Sequence, residues 1–63
     1  MLLKDLLEVL PDSQKVKILF IKDSEIREVK GSAGFIKISF DMLNYPVMTA
    51  YTNSSNNIIN ICI

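Results

Sequence analysis

A chain of 63 residues whose only cysteine is Cys62, and which has no histidine, has to hold itself together by packing. No intrachain disulfide can form, and the Cys/His sets that build structural zinc sites are missing. A domain of this length buries only about 60% of the surface its unfolded chain exposes, so its stability is expected to be on the order of a few kcal/mol. Hydrophobic residues make up 49% of the chain, enough for one core and too many for a disordered segment. Residues 1–63 therefore read as a single domain. The lack of disulfides fits a reducing compartment, and the expected localisation is the cytoplasm.

The hydrophobic period changes once, at Pro11. Before it, Leu3, Leu6, Leu7 and Leu10 form a helical stripe, with Lys4, Asp5 and Glu8 on the other face. Pro11 ends this helix, because the residue before a proline is pushed out of the α region. About nine residues make too short a helix to stand alone, so it has to dock on an apolar surface. From Gln14 to Lys22, Val16, Ile18 and Phe20 alternate with Lys15, Lys17 and Leu19, as in a strand with one core face. Lys22-Asp23-Ser24-Glu25 reads as a tight turn. Ile26 to Lys30 returns as the second strand of a hairpin. Ile26 and Val29 are three apart, which a bulge or an edge position would explain.

Gly31-Ser32-Ala33-Gly34 reads as flexible punctuation. After it two periods compete. Ile36, Ile38 and Phe40 alternate like a strand, whereas Ile36, Phe40 and Leu43 fit a helix. The expectation is a short helix beginning near Ser39 and capped by its hydroxyl, with Met42 and Leu43 facing inward. Residues 33–40 themselves fit strand, helix or loop. Val47 to Thr52 has strand-forming types, Asn53 to Asn57 a turn, and Ile58 to Ile63 a last strand with Ile59, Ile61 and Ile63 on one face. The expected fold is α+β: an N-terminal helix packed on a small, mostly antiparallel four-stranded sheet of two hairpins, with a short second helix between them.

Two apparent targeting signals do not hold up. Lys4, Asp5 and Glu8 interrupt any apolar signal core after Met1-Leu2-Leu3. No charged residue occurs from Met42 to Ile63, but this stretch carries Pro46, Ser54, Ser55 and five asparagines, which lipid would not accept. No membrane association is expected. Asn53-Ser54-Ser55 matches a glycosylation sequon, but without secretion it is only a turn.

The opening Leu3-Lys4-Asp5-Leu6-Leu7-Glu8-Val9-Leu10-Pro11-Asp12, followed by Gln14, Val16 and Ile18, resembles the start of small phage and prophage proteins of Gram-positive bacteria. Their second strand ends in Gly plus Ser/Thr, as Lys30-Gly31-Ser32 does here. Ala33–Ile38 departs from their pattern. The resemblance carries no catalytic residue or cofactor. It implies a phage-associated accessory protein that binds and inhibits a bacterial host protein, a defence nuclease (an anti-CRISPR-type role) being one target.

Catalytic chemistry has little to work with. The commonest general base is absent, and Cys62 has no histidine to activate it. The Gly31–Gly34 segment lacks the glycine pattern and the following Lys-Ser/Thr of a phosphate loop. No enzyme activity, cofactor or metal is expected. Residues 14–38 hold six basic groups against three acidic ones, and Lys15, Lys17, Arg27 and Lys30 form a basic hairpin. Convergence of these four on one face would support nucleic-acid binding, the alternative function. The interleaved Asp23, Glu25 and Glu28 argue instead for solvated lysines. In the uncharged C-terminal half, Tyr45, Tyr51 and Asn60 are typical contact residues. The last strand reads either as an unguarded edge, open to a partner or to a homodimer, or as an interior strand that needs no charge.

Overall fold

The computed structural model describes residues 1–53 and 55–63. Its elements run α1 (Leu3–Val9), β1 (Lys15–Lys22), β2 (Glu25–Ser32), α2 (Ala33–Ser39), β3 (Thr49–Asn53) and β4 (Ile58–Cys62). The expected turn over Asn53–Asn57 and the sequon include Ser54, which lies outside the described residues.

α1 follows the leucine stripe. Leu3 and Leu7 are fully buried, Leu6 and Leu10 half-buried, and Lys4, Asp5 and Glu8 exposed. Leu10 is extended, as a residue before proline must be. The free N–H groups of its first turn are met from afar. Leu3 N–H donates to the Tyr45 carbonyl and Lys4 N–H to the Leu43 carbonyl, both at 2.9 Å. Val47 N–H reciprocates to the Met1 carbonyl at 2.8 Å. The 43–47 segment thus supplies the cap that the helix lacks.

β1 and β2 pair antiparallel in unbroken register, from Lys15 opposite Ser32 to Lys22 opposite Glu25. No bulge is needed. Ile26 and Val29 simply point to opposite faces of an edge strand. Asp23 and Ser24 both have positive φ, 54° and 65°, as a two-residue hairpin turn with the sheet's own twist requires.

The second helix lies earlier than expected. β2 runs directly into α2, and Ser32 rather than Ser39 is the cap, its Oγ accepting from Phe35 N–H at 3.2 Å. Ser39 closes the helix, donating back to the Phe35 carbonyl at 2.7 Å. The supposed punctuation is therefore the end of a strand and the first turn of a helix. Ala33 and Ile36, three apart, are fully buried, whereas Ile38 is 86% exposed, so the alternation of Ile36, Ile38 and Phe40 has no structural counterpart. A Cβ on Gly34 would sit 3.0 Å from Asp12 Cβ and 3.3 Å from its carbonyl oxygen. The glycine allows α2 to start against that loop, where Gly34 N–H donates to the Asp12 carbonyl at 3.0 Å.

The sheet is mixed, in the order β2-β1-β4-β3. The two expected hairpins are present, but β4 lies parallel to β1, with Ile18 beside Ile61. The last strand is thus interior, and the reading of it as an open edge is corrected. Its isoleucines need no guarding charge because β1 and β3 flank it. Gln14 Nε2 donates to the Asn57 carbonyl at 2.9 Å, tying the start of β1 to the start of β4. Both helices cover one face. Leu3, Leu7, Ala33 and Ile36 meet Val16, Ile18, Phe20 and Ile61 there. Phe40 closes the layer edge-on against Phe20, with ring centres 5.3 Å apart. No helix among the described residues is long and apolar enough to cross a membrane.

Candidate binding surface

The strand registers define what stands on the face the helices leave open. One row across all four strands reads Lys30, Lys17, Asn60, Tyr51. The next reads Glu28, Leu19, Cys62, Thr49. Ile26 and Ile21 follow, next to the Asp23–Ser24 turn. On the other side of the first row, Ser32, Lys15 and Ile58 align.

Five of the seven residues singled out by sequence therefore share this face: Lys15, Lys17, Lys30, Tyr51 and Asn60. Arg27 does not. It pairs with Phe20, so it points to the helix side, where it bridges Glu25 at 3.3 Å. Arg27 and Lys30 are three positions apart, and an odd spacing in a strand reverses the face. Tyr45 is also elsewhere, in the segment that caps α1, beside Lys22, Asp41 and Met42.

The basic row is partly offset in place. Glu28 lies between Lys17, at 3.3 Å, and Lys30, at 3.5 Å. The hydrogen bond from Lys17, helped by both ammonium charges, holds the Glu28 carboxyl below its ordinary range. The four basic residues do not converge, and the expectation of a phosphate-binding hairpin loses its geometry.

The open face also exposes apolar side chains, Ile21 at 67% and Ile26 at 79%, and Met48, just before β3, is 78% exposed. With Leu19 and Cys62 of this face, and Phe20 and Ile63 of the core, they line a shallow groove of about 270 Å³ at the end of the sheet. Tyr51 extends this surface toward β3. Asn60 sits in the middle and is only 8% exposed, its Nδ2 reaching the Ile58 carbonyl at 3.5 Å. Sequence reasoning passed over Ile21, Ile26 and Met48. The signal was the run Ile18-Leu19-Phe20-Ile21, apolar at every position. A strand with one buried face should alternate, so two of these four had to point away from the helices.

No group of three or more Cys, Asp or Glu side chains among the described residues is placed to hold a metal ion. Compared with protein-family models, with curated proteins and with solved structures, the chain matches none.

Proposed function

We propose that this chain is a non-catalytic binding module that recognises another protein through the open face of its sheet. The observation that carries the reading is the exposed apolar surface of Ile21, Ile26 and Met48 around the groove at Leu19 and Cys62. It is rimmed by charged and polar groups, Lys17, Glu28 and Lys30 on one side and Thr49 and Tyr51 on the other. An apolar centre with a polar rim is the usual anatomy of a protein contact. In the phage or prophage setting suggested by the opening residues, such a module acts in the bacterial cytoplasm by covering a host protein, for example a defence nuclease. Nucleic-acid binding is the weaker reading, because Glu28 engages both Lys17 and Lys30 and offsets one of their two charges, and Arg27 faces away.

The test is a capture experiment with tagged protein in nuclease-treated bacterial lysate, run in parallel with an Ile21→Asp, Ile26→Lys variant. Both positions are exposed, so the variant is expected to fold. A stoichiometric protein partner that binds the parent and is lost from the variant supports the reading. Recovery of nucleic acid that both forms bind equally would refute it.

A further inference from the structure

We propose that β3 is the seam of a two-fold dimer of this chain, Thr49–Asn53 pairing antiparallel with the same strand of a second copy and centred on Tyr51. The inference is independent of the open-face reading, since it concerns a sheet edge and uses different test residues.

β3 is the least covered element of the fold. Thr49, Ala50, Tyr51 and Thr52 are all exposed. Ala50 and Thr52 pair with Ile61 and Ile59, so they point to the helix side, yet nothing lies over them there. Both faces and the outer edge of this strand are therefore open to a neighbour. A row of unpaired backbone N–H and C=O groups is a template for another strand.

Charge selects the occupant. The two edges of the sheet differ sharply. β2 carries Glu25, Arg27, Glu28 and Lys30, the kind of guard that keeps an edge single. β3 carries no charge, and none occurs in the chain after Asp41. A two-fold contact through β2 brings four ionised side chains into the seam, which they would have to leave water to form, whereas β3 brings none. A β3-to-β2 contact would repeat without end, and the β2 charges oppose it. A β3-to-β3 contact uses the open edge of each copy and closes. The pairing sets Ala50 opposite Thr52 of the second copy, twice, and builds a sheet of eight strands.

Sedimentation equilibrium of the full chain over a wide concentration range is the experiment. The expected result is a monomer–dimer equilibrium with no larger species. Lysine at both Ala50 and Thr52, written A50K with T52K, places like charges opposite each other at two pairs. It is expected to weaken the dimer at least about tenfold. A50E with T52E is expected to do the same, and an equimolar mixture of the two variants to restore a dimer holding one copy of each. A second route is independent of charge. Y51C with C62S is expected to crosslink under mild oxidation as a dimer, because directly opposed Cα atoms in an antiparallel pair lie within disulfide reach. A parent chain that is monomeric throughout, a dimer indifferent to both charged variants, or no rescue on mixing would overturn the proposal.

Discussion

Replacing Asn60 with valine is expected to make the domain more stable. Asn60 occupies an interior strand and is only 8% exposed, among the least accessible side chains of the open face. Its amide reaches the Ile58 carbonyl at 3.5 Å, a distance at which a hydrogen bond contributes little. Withdrawing an amide from water costs roughly 1–3 kcal/mol in proteins unless good hydrogen bonds offset it. Valine removes that penalty, and its preference for strands adds up to about 1 kcal/mol. A local side-chain rearrangement takes part of this back, so the net gain is about 1–2 kcal/mol. For a small domain the urea dependence is near 1 kcal/mol per molar, which turns the gain into a midpoint higher by about 1–2 M. Urea denaturation followed by circular dichroism reads this directly. An unchanged slope with a raised midpoint supports the reasoning. A midpoint lowered by 1 M or more, on the order of 1 kcal/mol, would mean that the amide is well satisfied and structural. The same variant in the capture experiment is expected to bind its partner more weakly. That outcome would follow if, in the proposed binding role, Asn60 contacts the partner at the cost of stability.

Four further outcomes follow from the core, the turn and the ion pairs. Ile61 is completely buried on an interior strand, and Ile61→Ala should cost about 2–5 kcal/mol, comparable to the whole stability of so small a domain; loss of amide chemical-shift dispersion at 25 °C, on the order of room temperature, checks this, and a well-dispersed spectrum would contradict the core. Ser24 holds φ at 65°, where a side chain is strained, so Ser24→Gly is expected to stabilise by about 0.5–1 kcal/mol in thermal unfolding, part of the relief being returned as backbone entropy. Glu28, held low by its hydrogen bond from Lys17, contributes stability that is present above the ordinary glutamate value of 4.5 and is lost as pH falls through its lower folded value. Lys37, raised by its hydrogen bond to Asp12 at 2.9 Å, contributes stability below 10.5 that is lost as pH rises through its higher folded value. Glu28→Gln should flatten only the acid limb of a melting-temperature profile, and Lys37→Met only the alkaline limb.

The parts of this fold that were legible in the sequence are those specified by neighbours along the chain. The α1 stripe, the Pro11 stop, the alternation in β1 and the Asp23–Ser24 turn are local patterns, and each appears where its pattern placed it. What escaped was set by contacts distant in sequence. Ser32 reads as part of a flexible link in sequence because its role as a cap depends on Ala33 and Ile36 finding the core. The parallel pairing of β1 with β4 has no local signature; it needs α2 to carry the chain across and Gln14 to bond to the turn at Asn57. That pairing in turn decides that the uncharged edge is β3 and not the last strand. For the candidate surface, alternation is enough to bring Lys15, Lys17 and Lys30 together; Arg27, grouped with them from sequence, falls on the other face once the β1–β2 register is known. Its apolar centre was legible too, in the unbroken run from Ile18 to Ile21.

The geometry of the two layers explains why such a centre remains uncovered. Each helix has seven residues and so spans only about 10 Å. Four strands at a spacing of about 4.8 Å make a sheet some 15–20 Å wide, counting its side chains. Two short helices can cover one face of β1 and β4, and they leave even the helix side of β3 exposed. No further element remains among the described residues to cover the second face. A half-covered sheet commonly alternates and turns mostly polar groups outward. This one turns Leu19, Ile21, Ile26 and Cys62 outward in adjoining rows, which lowers solubility and adds nothing to the core. In the proposed binding role these outward apolar groups gain a physical use, because a partner's surface would remove them from water.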